Sequence, residues 1–301
     1  MYDLIIIGGG PSGSQAGRFA GGEGLKTLLI EKDQFPRSKP CGGALSEKAR
    51  SYLDFEIPSE ICEKEIFGAR VRFRDQIIEG YKDFRLATMI TRSSFDKYLL
   101  EKAAETGVEV QTGQRVIDFK EREDDVEVYT KAGTFRSKFL IVAEGAQGKL
   151  KNRIRKQGRS NEYGTCLVAD IEEDNEKIDD FLPDILEIHF GLIHMGYGWI
   201  FPHDNYYSVG IGSYNRTSQE MKRLMSDFLK KNGFNGKYRV RGHLIPAGGI
   251  RRENVGRRVI LTGDAAGFVD PFTGEGIAYA IRSGQIAGEV VAGIVARGKT
   301  E

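Results

Sequence analysis

Two stretches of this chain have residue types and spacing suited to holding a nucleotide cofactor. The first is "YDLIIIGGGPSG", Tyr2 to Gly13, in which Gly8, Gly10 and Gly13 form GxGxxG between a short apolar run and a helical pattern. In that setting the first glycine makes the turn and the second lets main chain approach a pyrophosphate. The third packs helix on strand. The helix entrance, with Ser12 in its first turn, turns free N–H groups toward phosphate. Glu31 ends the next apolar run and is placed to accept hydrogen bonds from adenosine ribose hydroxyls. This turn grips an ADP half and does not by itself separate NAD from FAD.

The second stretch is "TGDAAGFVDPFTGEGIAYAIRSG", Thr262 to Gly284, again a strand exit, a glycine-studded turn and a helix start. Asp264 can take a ribitol hydroxyl. Gly274 and Gly276, with Ile277 opening the helix, would bring bare main-chain N–H groups against the N1 and C2-carbonyl edge of a flavin. A helix dipole aimed there stabilises the negative charge of reduced flavin. The two turns are therefore expected to hold two ends of one cofactor, FAD.

Other candidates have two readings each. Cys41, between Pro40 and Gly42, is either a small buried residue or a redox or proton-donating group. Tyr197, Trp199 and Phe201 alternate, as one face of a strand does, and either pack in a core or line an apolar substrate cavity. His189, His194, His203 and His243 lack metal-ligand spacing, and no metal is expected. The acidic runs Glu172–Asp180 and Glu121–Asp125 read as a solvated connection and a hairpin turn. No GxSxG elbow or P-loop occurs.

These residues need elements to position them. Leu4–Ile7, Thr27–Glu31, Phe139–Ala143 and Val259–Leu261 are short continuous apolar runs, the pattern of parallel strands covered on both faces. A helix over Pro11–Gly22 joins the first two into a βαβ unit. "RSSFDKYLLEKAAETG" reads as another helix, capped by Ser93 or Ser94 and stopped by Gly107. Ile66–Arg74, Gly164–Ile171, Ile185–Phe190 and Tyr206–Ser213 are aromatic and β-rich, and predict an antiparallel sheet in a second lobe. That lobe also has an amphipathic helix, with Met221, Leu224, Met225, Phe228 and Leu229 on one face and Gly233 past its end. The fold class is α/β with an α+β second lobe. A Rossmann-like FAD-binding domain is expected from residues 1–66, 91–156 and 246–301, and a smaller substrate domain from 67–90 and 157–245, closing over the flavin.

The 301 residues carry 44 Lys plus Arg against 43 Asp plus Glu, a balance that excludes a nucleic-acid surface. Three scattered cysteines form no disulfide framework, and a reducing, cytoplasmic setting is expected. The opening apolar run is too short for a membrane span or a signal peptide. A peripheral membrane contact stays open.

Taken in order, GGGPSG at 8–13, "PRSKPCGGALS" at 36–46, Arg92, "GYGWIFP" at 196–202 and "GDAAGFVDPFTGEGI" at 263–277 resemble the geranylgeranyl reductase family of FAD-dependent oxidoreductases. This family lies within the para-hydroxybenzoate hydroxylase-like group. The resemblance implies that Cys41, Gly42 and Gly43 lie beside the flavin and that Arg92 and Val116 contact the cofactor. It implies that Tyr197, Trp199 and Phe201 meet the substrate. The implied reaction is reduction of carbon–carbon double bonds in an apolar, isoprenoid, lipid-borne substrate, with NAD(P)H or another reductant, or a redox partner protein, as donor. A monooxygenase of the same fold and a non-catalytic flavin-binding electron carrier are the alternatives.

Departures from the family pattern are also visible. Where relatives carry ADGxxSxVR, this chain has "AEGAQGKLK" at 143–151, with Glu144 for aspartate, Gly148 for serine and Lys151 for arginine. A direct NAD(P)H donor is questioned on that ground. His194 stands where relatives often have proline, and the chain stops soon after the flavin helix, so a differently shaped or more open pocket is expected.

Overall fold

The computed structural model describes residues 1–155, 163–214, 216–248 and 252–298. The chain divides into two compact units, one from Met1–Arg37, Ser93–Gly158 and Pro246–Glu301, the other from Ser38–Arg92 and Arg159–Ile245.

The first unit is built on a seven-stranded sheet. Strand Tyr2–Ile7 lies between Thr27–Ile30 and Thr134–Val142, parallel to both. Glu109–Gln111 and Val259–Leu261 extend the parallel set on either side. Val116–Glu121 and Val126–Thr130 complete the sheet as an antiparallel hairpin, its turn at residues 122–125, which include Glu123, Asp124 and Asp125. The continuous apolar runs have a simple cause, since both faces are covered. Ile5, Ile7, Leu140 and Val142 point into one core with Val126, Val128 and Leu261, while Leu4, Ile6, Phe139 and Ile141 point into another with Ala16, Leu100 and Val291. The opening helix spans Pro11–Gly22, as the sequence predicts. The next helix begins at Arg92 and runs to Ala104, so Ser93 and Ser94 lie inside its first turn and do not cap it.

The second unit has a seven-stranded sheet and a three-stranded one. The larger carries Tyr163–Glu172, Tyr206–Tyr214, Gly196–Pro202 and Ile185–Phe190 as antiparallel neighbours. Gly68–Phe73 joins it parallel to Ile185–Phe190, one departure from an all-antiparallel sheet. Helix Ser218–Lys231 covers one face with Met221, Met225, Phe228 and Leu229, and a Thr217–Glu220 capping box fixes its start. Residues 172–180, expected as a solvated connection, instead carry most of helix Asn175–Phe181, because Ile178 anchors it fully buried in that core.

The smaller sheet, Ala44–Ser46, Ala87–Ile90 and Cys62–Ile66, was not legible in advance, its strands being short and mixed in polarity. Its pairing draws residues 38–66, with Thr91 and Arg92, into the second unit, whereas the sequence pattern assigned them to the first. The expected boundary at 156/157 lies outside the described residues.

Candidate flavin-binding site

In the first unit the two glycine turns are brought together by their helices. A Cβ on Gly284 would stand 2.1 Å from the Ser12 carbonyl oxygen, and one on Gly288 would stand 2.6 Å from that of Ala16. The closing helix, Ile277–Ala296, therefore lies backbone against backbone on the opening helix. Gln285 donates to Gln15 at 3.3 Å within the contact, and the Gly263 N–H donates to Ser283 Oγ at 3.0 Å.

Each glycine of the first turn has a distinct reason. Gly8 has φ +105°, and a Cβ there would sit 2.4 Å from the Ala143 carbonyl oxygen. A Cβ on Gly13 would sit 1.8 Å from the Gly8 carbonyl oxygen, so only glycine lets helix and strand meet. A Cβ on Gly10 would stand 3.3 Å from Arg37 Nη2. Arg37 is itself held by buried Asp96 at 3.1 Å. A fixed guanidinium thus borders the turn, a residue that the sequence pattern did not single out although it stands in the PRSKP segment. Glu31 is buried and accepts from the Gly9 N–H at 2.7 Å and the Asp33 N–H at 2.9 Å, which fixes its carboxylate at the turn.

The second turn is pre-shaped by Asp270. Its Oδ1 accepts from the Phe272 and Thr273 N–H groups at 3.0 and 2.7 Å, while its carbonyl accepts from the Gly274 N–H at 2.9 Å. Gly274 takes φ +72° to allow this. Asp264 lies in the short helix Gly263–Ala266, and its Oδ1 would be 3.5 Å from a Cβ on Gly276. Asp264, Gly276 and the start of the closing helix at Ile277 therefore adjoin.

These features fit FAD. The helices that begin at Pro11 and Ile277 follow Gly10 and Gly276, and neither has a side-chain cap, unlike the helices capped by Ser46 and Thr217. A helix start without a side-chain cap can offer leading N–H groups to an external acceptor. Ser12 Oγ, buried in the first turn of the opening helix, also lacks a hydrogen-bond partner in the described structure.

The departing segment 143–151 has a structural explanation. Glu144 accepts from the Lys149 and Lys151 N–H groups at 3.1 and 2.9 Å and so caps the turn Leu150–Arg153. Burial raises its pKa above the ordinary carboxylate value, partly offset by hydrogen bonds from the Lys151, Leu150 and Lys149 main chain. A Cβ on Gly148 would stand only 2.0 Å from Glu144 Cδ. The longer acid occupies the space of a side chain at 148, so glutamate at 144 and glycine at 148 compensate each other. Lys151 is buried and donates through Nζ to the Ala146 carbonyl.

In the second unit Tyr197, Trp199 and Phe201 share one face of strand Gly196–Pro202, with ring centroids 6.1 and 6.2 Å apart in succession. Trp199 is paired with Gly210 across the strands, and a Cβ there would lie 2.1 Å from Trp199 Cζ2, so the indole lies on bare main chain. It packs with Cys166 and Val168, yet its Nε1–H finds no acceptor among the described residues. Cys41 is part-buried in the same unit, and its Sγ accepts from the Gly43 N–H at 3.4 Å. Arg92 is buried at the first position of its helix, and Val116 is buried in the core of the first unit. His203 and Glu63, neither singled out by spacing, pair beside Gly42 and Gly43.

A family model described as the FAD binding domain matches residues 1–295. The chain is 30% identical to digeranylgeranylglycerophospholipid reductase of Methanococcus vannielii, over 97% of this chain and 77% of that protein. It is also 30% identical to geranylgeranyl diphosphate reductase of Rhodobacter capsulatus, over 99% of this chain and 77% of the relative. A crystal structure of a geranylgeranyl bacteriochlorophyll reductase-like protein from Thermoplasma acidophilum superposes with a TM-score of 0.90 at 25% identity, covering 100% of this chain and 80% of the other. The chain belongs to the FAD-binding flavoproteins and, within them, to the geranylgeranyl reductase family. It is an FAD-dependent oxidoreductase.

Proposed function

We propose that the chain reduces carbon–carbon double bonds of an isoprenoid chain carried on a lipid. The observation that supports this substrate class is the row of Tyr197, Trp199 and Phe201, a face suited to apolar ligands, in a chain 30% identical to relatives named for reductases of geranylgeranyl compounds. Bound FAD, once reduced, supplies the hydride. The residues of this chain bind and orient. Gly8, Gly10, Ser12 and Gly13, with Arg37, hold the pyrophosphate, and Glu31 holds the ribose. Asp264 takes a ribitol hydroxyl, while Gly274, Gly276 and Ile277 turn main-chain N–H groups toward the flavin. Gly42, Gly43, Arg92 and Val116 are further cofactor contacts. Cys41 delivers a proton to the alkene carbon that does not receive hydride.

The test is anaerobic. Photoreduced protein is mixed with a geranylgeranyl-bearing lipid, flavin reoxidation is followed by absorbance, and the product is weighed by mass spectrometry. Reoxidation with gain of two hydrogens per double bond is expected. Reduced flavin that persists under argon but turns over with oxygen, yielding an oxygen-bearing product, would replace the reductase by a monooxygenase.

A further inference from the structure

Cys41 is linked to a buried acid–base pair through a single peptide group. The amide between Gly42 and Gly43 is planar and trans, so its C=O and N–H point in opposite directions. The Gly43 N–H donates to Cys41 Sγ at 3.4 Å, and the Gly42 carbonyl meets His203 Nε2 at 3.0 Å. A carbonyl only accepts, so Nε2 carries a proton. On the other side of the ring, Nδ1 meets a Glu63 carboxylate oxygen. A proton must also lie on that contact, because an imidazole lone pair and an ionised carboxylate repel.

Further groups surround the pair, and the Tyr206 hydroxyl lies 2.8 Å from Nδ1. Thr91 Oγ1 donates to the other oxygen of Glu63, and the Tyr206 hydroxyl is 3.5 Å from the oxygen facing His203. Hydrogen bonds and the nearby His203 overcome the upward effect of burial and hold the Glu63 pKa below the ordinary carboxylate value. His203 is nearly fully buried and stacked on Tyr206, with ring centroids 4.3 Å apart. The sequence around it accommodates this arrangement. Gly43 has φ +78°, and a Cβ there would strike His203 Cε1 at 2.4 Å. The Gly43 carbonyl is meanwhile tied to the Ile90 N–H at 2.9 Å.

We infer that His203, held by Glu63, is a positioning residue for Cys41, fixing and polarising the Gly42–Gly43 amide so that its N–H stabilises the sulfur as it gives up its proton. A hydrogen bond donated to the carbonyl draws electron density from the amide and strengthens its N–H as a donor. Other titratable groups near this line include Tyr206 and Asp170 on the histidine side and, on the sulfur side, Cys166 with His243 and Lys39 beside it. The inference rests on the proposed role of Cys41 in reduction, but it concerns a property of the thiol that can be read without turnover.

The test uses FAD-loaded protein and alkylation by iodoacetamide across pH, with the Cys41 peptide quantified by mass spectrometry. In His203→Phe the midpoint of the alkylation profile is expected to move up, making labelling at neutral pH about tenfold slower, the scale of one hydrogen bond to a charged group. Glu63→Gln, which keeps the side-chain shape, should move it in the same direction, and His203→Gln, a neutral donor, should fall between wild type and His203→Phe. Flavin content and circular dichroism verify folding, and if His203→Phe does not fold, Glu63→Gln decides alone. Unchanged Cys41 profiles in the folded variants overturn the inference. Normal alkene reduction by Cys41→Ser would instead overturn the proposed role of Cys41 and leave the alkylation result standing.

Discussion

Glutamate at 144 and glycine at 148 make a pair that can be taken apart. In Gly148→Ser the new Cβ would lie 2.0 Å from Glu144 Cδ, far inside contact distance, so the carboxyl must leave its place. It then loses the N–H donors of Lys149 and Lys151 at 3.1 and 2.9 Å. Hydrogen bonds to a charged group contribute about 1.5–3 kcal/mol each and do not add fully, so the substitution should cost about 2–4 kcal/mol. For a chain of this size that corresponds to a fall in Tm of roughly 3–6 °C. Shortening the acid should reverse it. In Glu144→Asp/Gly148→Ser the aspartate clears the serine and can again accept from the turn, so stability should return to within about 1 kcal/mol of the parent. The assay is thermal unfolding of the parent, both single variants and the double variant at fixed FAD concentration. A folded Gly148→Ser protein as stable as the parent, or single-variant losses that simply add in the double variant, would refute compensation.

Three further outcomes are expected. Asp264→Ala should weaken FAD binding about 10–100-fold, the equivalent of one charge-assisted hydrogen bond, and fluorescence titration of the apo-protein checks it. Gly284→Val should separate the opening and closing helices, since even a Cβ meets the Ser12 carbonyl at 2.1 Å, and so lower both Tm and flavin retention; parent-like melting would argue against the close approach. For Glu187, burial alone would raise the pKa, but hydrogen bonds from His189, Arg72 and Arg70 hold it at about 2, against an ordinary 4.5. Its folded pKa being the lower, its contribution is present above the ordinary value and is lost as pH falls toward 2. The acid limb of a stability–pH curve should be flatter over that window in Glu187→Gln, and an unchanged limb would show that the network is not coupled to folding.

Legibility in the sequence followed periodicity and chain locality. The parallel strands around Leu4–Ile7 could be read because burial on both faces leaves an uninterrupted apolar run, and the helix from Pro11 because a glycine turn and proline mark its start. The helix Ser218–Lys231 was clear from its apolar stripe. The strands Ala44–Ser46 and Cys62–Ile66 were not, since both owe their pairing to Ala87–Ile90, distant in sequence. Of the candidate site, the glycines could be read because their spacing has a steric cause. Arg37 could not, because its place beside Gly10 depends on Asp96, and neither could Glu63, whose meaning comes from His203, distant along the chain.

The backbone contact of Gly284 and Gly288 with Ser12 and Ala16 has a consequence for how the protein is made. The opening helix leaves the ribosome first, and the surface it needs to cover it is encoded about 270 residues later. At the usual pace of synthesis that delay is on the order of 15–50 s. During that time strand Thr134–Val142 waits for Val259–Leu261, so the nascent sheet has an unfinished edge as well as an uncovered helix. The first glycine turn is translated early but acquires its companion only when the closing helix docks. Maturation in the cell should therefore depend on whatever keeps the nascent chain from aggregating through this interval.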